Sequence, residues 1–139
     1  MDVLFICTAN HFRSRFAEGL FNHYSRLNGL DLRAESCGFK PEDTAFGVSP
    51  FTASALRLCE APVECLPFIK QRIHPELISS ARIAVAMRRD EHYPLLRDRF
   101  PGWEARVRYW DVRDWPEVQP AEAFAMIREG IEGLIEELS

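Results

Sequence analysis

The stretch Val3-Leu4-Phe5-Ile6-Cys7-Thr8-Ala9-Asn10-His11-Phe12-Arg13-Ser14 decides how this chain is read. Its four leading apolar residues predict a buried strand, and a helical pattern begins at Ser14, so the residues between form a strand-to-helix turn. Such a turn aims free backbone N–H groups and the positive end of the helix dipole at its own centre, where an oxyanion fits. A thiol, a guanidinium and a hydroxyl on that one turn are the make-up of a catalytic phosphate cradle. A cysteine in so electropositive a setting is held close to its ionised, nucleophilic form. Taken alone, a free cysteine at a strand end is ordinarily a small buried hydrophobe. Chance does not explain the combination: with 4 cysteines, 15 arginines and 11 serines or threonines in 139 residues, a random Cys-x5-Arg-Ser/Thr is expected roughly 0.03 times.

Working outward, Phe16, Leu20, Phe21 and Tyr24 fall on one face of a helix from Ser14 to Arg26, which Asn28-Gly29 stops. A second strand is expected from Asp31 to Ser36, ending at Gly38. Phe39 to Val48 reads as a loop, and Ser49-Pro50 opens a helix running to about Leu58. Pro75 starts a short helix to Ser79 or Ser80, and Ala81 to Met87 is a third strand, apolar enough for a central parallel position. Glu91 to Arg99 is helical. A fourth strand is expected from Val107 to Val112, and an amphipathic helix follows from Ala121 to Leu138. Strands that alternate with helices are parallel and joined by right-handed crossovers. The expected fold is therefore α/β, a three-layer sandwich with a four-stranded parallel sheet, helices on both faces and a phosphate-binding loop after the first strand. Ligands of such sheets bind beyond the carboxyl ends of the strands, near a switch in strand order. Cys7 lies at such an end.

The length of 139 residues fits a single domain spanning 1–139. No apolar stretch approaches the roughly 20 residues that cross a bilayer, and the first apolar run lacks the pattern of a signal peptide, so a cytoplasmic location away from membranes is expected. The net charge of −4 argues against a nucleic-acid surface. Arg88-Arg89 reads as a solvated pair at a strand end. Cys7, Cys37, Cys59 and Cys65 have no metal-ligand spacing, so no metal, no cofactor and no obligatory disulfide are expected. Cys59 and Cys65 flank Pro62 at a helix end and its loop and read as small buried residues. His23, His74 and His92 read as surface or helix-face residues.

The chain resembles the low-molecular-weight protein tyrosine phosphatase family. The resemblance rests on Cys7, Arg13 and Ser14 with Ala17-Glu18 in the following helix, and more loosely on Ala81 to Met87 with His92 and on Trp110-Asp111-Val112-Arg113-Asp114. It implies Cys7 as nucleophile, Arg13 as phosphate clamp, Ser14 as the hydroxyl bonded to the thiolate, and Asn10 as a residue that shapes the loop. Chemistry agrees with each role. Arginine offers a planar fork of donors matched to phosphate oxygens, asparagine tolerates the left-handed backbone of a tight loop, and a hydroxyl donor favours charged sulfur. Phe12 stands where relatives often carry a second cysteine, so a protective disulfide with the nucleophile is not expected. Ala9 replaces a common glycine. Asp114 is followed by Trp115 before Pro116, where relatives usually have Asp-Pro, so the acid loop is expected to differ in shape.

The implied reaction is hydrolysis of a phosphomonoester through a cysteinyl-phosphate, with a phosphotyrosine protein or small aryl phosphate as substrate and inorganic phosphate or another oxyanion as ligand. The backbone of Thr8, Ala9, Asn10, His11, Phe12 and Arg13 would hold the phosphate. Asp114 is the candidate general acid and Asp111 the fallback. Trp115 and Phe39 are candidates to clasp the aromatic ring; Phe46 reads rather as core. His11, at the rim or toward solvent, is given no catalytic role. Two other readings stay open: arsenate reduction, which needs further thiols near the third strand, and a non-catalytic module that binds oxyanions or phosphopeptides. A sugar-uptake phosphocarrier shares the cysteine loop but not the arginine.

Overall fold

The computed structural model describes every residue except Ala45, Phe46 and Phe68, together with the side chain of Cys65. Its strands are β1 (Val3–Cys7), β2 (Ala34–Gly38), β3 (Ile83–Ala86) and β4 (Arg108–Tyr109). Its helices are α1 (Arg13–Leu27), α2 (Pro50–Leu58), α3 (Pro75–Ser79), α4 (Arg89–Arg99) and α5 (Pro120–Leu138). The strands form one parallel sheet in the order β2-β1-β3-β4. From β1 the chain moves to one side to make β2, then crosses to the other side to make β3. Strand order therefore reverses at β1, and the crevice for a ligand opens at its carboxyl end, where Cys7 sits.

All five residues of β1 are buried, and alternation sends them to opposite faces. Val3, Phe5 and Cys7 join the core under α1, α2 and α5, while Leu4 and Ile6 join the core under α3 and α4. Cys37 belongs to that second core, on the face away from Cys7. One close approach fixes α5: a Cβ at Gly130 would lie 2.6 Å from the Trp110 ring, and that ring packs against Phe5 at 5.8 Å.

The structure moves some expected boundaries. β2 starts at Ala34 rather than Asp31, because Ser25 takes the preceding residues: its hydroxyl bonds the Leu30 and Leu32 carbonyls and accepts from the Leu32 N–H. β4 contracts to two residues because Asp111 leaves the parallel ladder for an antiparallel bridge with Arg88. α4 begins at Arg89 rather than Glu91, with the Arg88 N–H donating to His92 Nδ1. Of the Arg88-Arg89 pair, Arg89 is exposed and Arg88 half-buried. Arg88 bonds Glu117 at 3.0 Å, and Arg89 lies over the rings of Tyr93 and Tyr109. Phe46 and the Cys65 side chain lie outside the described residues. No helix among the described residues is long and apolar enough to cross a membrane.

Candidate active site

The loop from Thr8 to Phe12 joins the end of β1 to the start of α1. The first turn of any helix leaves its N–H groups without helical acceptors. Here, among the described residues, the backbone N–H groups from Ala9 to Arg15 have no protein acceptor; the first to find one is Phe16, which donates to the Phe12 carbonyl. Seven successive unpaired donors around one turn make an anion site of backbone alone.

Asn10 gives the loop its shape. Its φ of 52° lies in the left-handed region, which asparagine enters more readily than most residues. The Gln71 N–H donates to its Oδ1 at 2.9 Å, and its Nδ2 donates to Ser14 Oγ and to Ser36 Oγ, both at 2.9 Å. Gly38 closes the floor: a Cβ there would lie 2.6 Å from the Asn10 nitrogen and 2.8 Å from the Thr8 carbonyl.

Those bonds determine what Ser14 can do. Its Oγ stands 2.9 Å from Cys7 Sγ and receives the Asn10 amide; a thiolate has no proton to give, so toward ionised sulfur the hydroxyl is the donor and stabilises the negative charge. On the far side, Ser36 donates to Glu18, which burial raises to about 7 against the lowering effect of that bond and of Arg15.

Arg13 is buried at the mouth of the sheet. Its Nη2 donates to Glu91 Oε2 at 2.7 Å, and its Nη1 to Glu91 Oε1 at 3.3 Å and to the Val112 carbonyl at 3.1 Å. Burial works against its charge, but the charges of Cys7, Glu91 and Asp114 outweigh burial and hold the guanidinium protonated. Asp114 Oδ2 is 3.5 Å from Arg13 Nη2. Of the two candidate acids, Asp114 is the one beside the clamp; Asp111 instead turns toward Arg88 and Arg113, at 3.8 and 4.0 Å.

The remaining candidates divide. Trp115 is 62 % exposed and lines a recess with His11, Phe12, Asp114 and the start of α2 at Ser49, Pro50 and Phe51. His11 Nδ1 is buried without a partner, and burial, then Lys70 and Arg15, lower the imidazole below its ordinary value. The Phe12 ring packs edge-on against Phe124 at 5.9 Å, so only its backbone faces the loop's centre. Phe39 is not a substrate clasp. It is wholly buried and stacks on His92 at 6.0 Å and 7°, because the chain after β2 turns inward under α4.

His92, read as a surface or helix-face residue, lies on α4 and is likewise wholly buried. Its Nδ1 accepts from the Arg88 N–H, which leaves the proton on Nε2, facing Glu91 at 2.9 Å and Thr8 Oγ1 at 3.1 Å. Burial keeps the ring neutral by lowering it below the usual histidine range. Glu91 also accepts from Thr8 Oγ1. Burial would raise this carboxyl, but the bonds from His92 and Arg13 hold it far below the ordinary range. The sequence reading missed Glu91 altogether. The signal was its place in the helix leaving β3, the strand beside β1, whose carboxyl end borders the same crevice.

Comparisons with known proteins follow this geometry. The model of the low molecular weight phosphotyrosine protein phosphatase family matches residues 2–139. A Bacillus subtilis (strain 168) protein named protein-arginine-phosphatase is 28 % identical over 110 residues, 77 % of this chain and 68 % of that protein. The crystal structure of a low molecular weight protein tyrosine phosphatase from T. tengcongensis superposes with a TM-score of 0.81 at 25 % identity, covering 99 % of both chains. Wzb of Vibrio vulnificus, solved with benzylphosphonate, shares the fold at a TM-score of 0.80 and 15 % identity, over 98 % of this chain and 97 % of that one. With a sulfur, a guanidinium and a carboxylate meeting at the switch in strand order, and a family match over residues 2–139, the chain belongs to the low molecular weight phosphotyrosine protein phosphatase family and is a phosphatase.

Proposed function

We propose that this phosphatase hydrolyses the phosphomonoester of a phosphotyrosine protein or small aryl phosphate through a cysteinyl-phosphate on Cys7. The observation that carries the reading is the 2.9 Å contact of Cys7 Sγ with the Ser14 hydroxyl, which also receives the Asn10 amide. The phosphate's equatorial oxygens meet the free N–H groups of the loop and the Arg13 guanidinium, which face the charge that spreads over them in the transition state. Sulfur attacks phosphorus in line, the P–O bond to the phenol breaks, and Asp114 delivers the proton that the departing oxygen needs. The Asp114 carboxylate then takes a proton from the water that cleaves the S–P bond, releasing inorganic phosphate and restoring the thiolate. Trp115, on the exposed rim beside Asp114, offers a face to the leaving ring. Turnover of an aryl phosphate by the wild type, its loss in Cys7→Ser, and a phosphocysteine trapped in Asp114→Asn test this sequence of steps. Hydrolysis that survives Cys7→Ser ends it.

Phosphoarginine is a second substrate reading, favoured by the similarity to the Bacillus subtilis protein named protein-arginine-phosphatase. A P–N bond needs the same proton at the leaving atom, and the exposed rim at Asp114 has room for either side chain. Matched peptides bearing phosphotyrosine or phosphoarginine decide between them by kcat/KM. Arsenate reduction finds less support: Cys37 faces the opposite core, and Cys59 caps the far end of α2, some 10 Å along the helix from Thr52, which meets the loop at Phe12.

A further inference from the structure

A guanidinium has five N–H donors, arranged as edges that each suit two parallel acceptors. In Arg13 the end edge is taken: Nη1 and Nη2 each give one hydrogen to a different oxygen of Glu91. The second Nη1 hydrogen goes to the Val112 carbonyl. What remains is the side edge, made of Nε–H, which no protein acceptor takes among the described residues, and the other hydrogen of Nη2, a nitrogen that has Asp114 Oδ2 at 3.5 Å. That edge is one pair of parallel donors, the shape that two phosphate oxygens require.

Glu91 is itself fixed from two further directions. Thr8, the first residue after the nucleophile, donates its hydroxyl to Oε2, and His92 presents Nε2–H to the same oxygen. The His92 tautomer that permits this is set by the Arg88 backbone N–H. The carboxylate thus joins the beginning of the phosphate loop to its arginine through a single residue on α4.

Resting on the hydrolase reading above, we infer that Glu91 is a positioning residue: by occupying the end edge of Arg13 it turns the side edge toward the substrate phosphate, and by holding Thr8 it ties the loop to that orientation. It touches neither phosphorus nor the leaving group. Arg13 keeps its charge without Glu91 but loses its direction, so both phosphate affinity and turnover fall.

The test uses Glu91→Ala and the isosteric Glu91→Gln, each alone and combined with Arg13→Ala, with circular dichroism to establish folding. Two quantities are read: kcat and KM for an aryl phosphate, and the inhibition or binding constant of vanadate, which reports the cradle without chemistry. Glu91→Ala is expected to lower kcat/KM and weaken vanadate by tenfold or more, and Glu91→Gln by a smaller factor, since its amide oxygen still accepts from one Arg13 nitrogen. In the Arg13→Ala background, removing Glu91 should change vanadate binding less than twofold. Equal losses with and without Arg13 would mean a separate structural role, and vanadate affinity within twofold of wild type in folded Glu91→Gln and Glu91→Ala would overturn the inference. A wild type that binds vanadate but hydrolyses no phosphoester sinks the hydrolase reading alone, because the vanadate comparison still measures the orientation of Arg13.

Discussion

Ser14 Oγ lies between Asn10 Nδ2 and Cys7 Sγ, 2.9 Å from each, so with the sulfur ionised the hydroxyl accepts from Asn10 and donates to the sulfur. A hydrogen bond to a charged group contributes about 1.5–3 kcal/mol. Ser14→Ala should therefore lower kcat roughly 10- to 100-fold with little change in melting temperature, since alanine is well tolerated in a helix. Asn10→Ala should do more. It removes three hydrogen bonds, to Ser14, Ser36 and Gln71, and leaves a positive φ to a residue that resists it, for a loss of about 3 kcal/mol. Thermal denaturation of the two variants side by side checks the difference.

Asp114 sits 3.5 Å from the clamp, and Asp111 is turned toward Arg88. A general acid is typically worth 10²- to 10⁴-fold. Asp114→Asn should slow aryl phosphates with poor leaving groups by about 10²-fold or more and those with good leaving groups much less; Asp111→Asn should leave that contrast intact. A leaving-group series that keeps its slope in Asp114→Asn would remove Asp114 from the mechanism.

Glu18 gives a pH dependence with a definite sign. Its carboxyl, raised by burial to about 7 from an ordinary 4.5, binds a proton more tightly folded than unfolded. The stability this contributes is complete below about 4.5 and is lost as pH rises through about 7, a change of about 3 kcal/mol. His92 and His11, both lowered by burial, favour the folded chain in the opposite direction as pH rises past the ordinary histidine value. The comparison must therefore be with Glu18→Gln. Relative to that variant, the wild type should lose stability between pH 5 and pH 8 in urea titrations, and a constant difference would show that Glu18 is ionised throughout.

Gly130 meets Trp110 where no side chain fits, with the ring 2.6 Å from an added Cβ. The ring is held in turn by Phe5, so it yields only by losing that contact. Gly130→Ala should destabilise by about 1–3 kcal/mol, despite alanine's better helix propensity, whereas Gly133→Ala, with nothing near its Cβ, should stabilise slightly. Chemical denaturation of the pair reads both signs.

The fold was legible where pattern was local. Val3 to Cys7 reads as a buried strand because every residue there is apolar, the Pro50 helix announces itself by proline after Ser49, and the last helix by its apolar spacing. Boundaries moved where a single side chain overrode the pattern, as Ser25 does before β2 and as the Arg88–Asp111 bridge does at β4. At the site, Cys7, Arg13 and Ser14 were legible because one turn carries them. Glu91 was not, because its bonds to Thr8 and Arg13 exist only when β3 lies beside β1, and His92 entered only through the family resemblance. Phe39 misled for the same reason: an aromatic residue after a strand looks alike in sequence whether the chain next turns outward or inward.

The bonds that shape the cradle reach far along the chain: Asn10 to Gln71, 61 residues away, Thr8 to Glu91, 83 away, and Arg13 to Val112, 99 away. A ribosome that has made only the first half of this protein has produced the complete signature with Ser36 and Gly38 beneath it, but not Gln71, Glu91 or Val112. The cradle is therefore completed late in synthesis, with the segments that bond Asn10, Thr8 and Arg13.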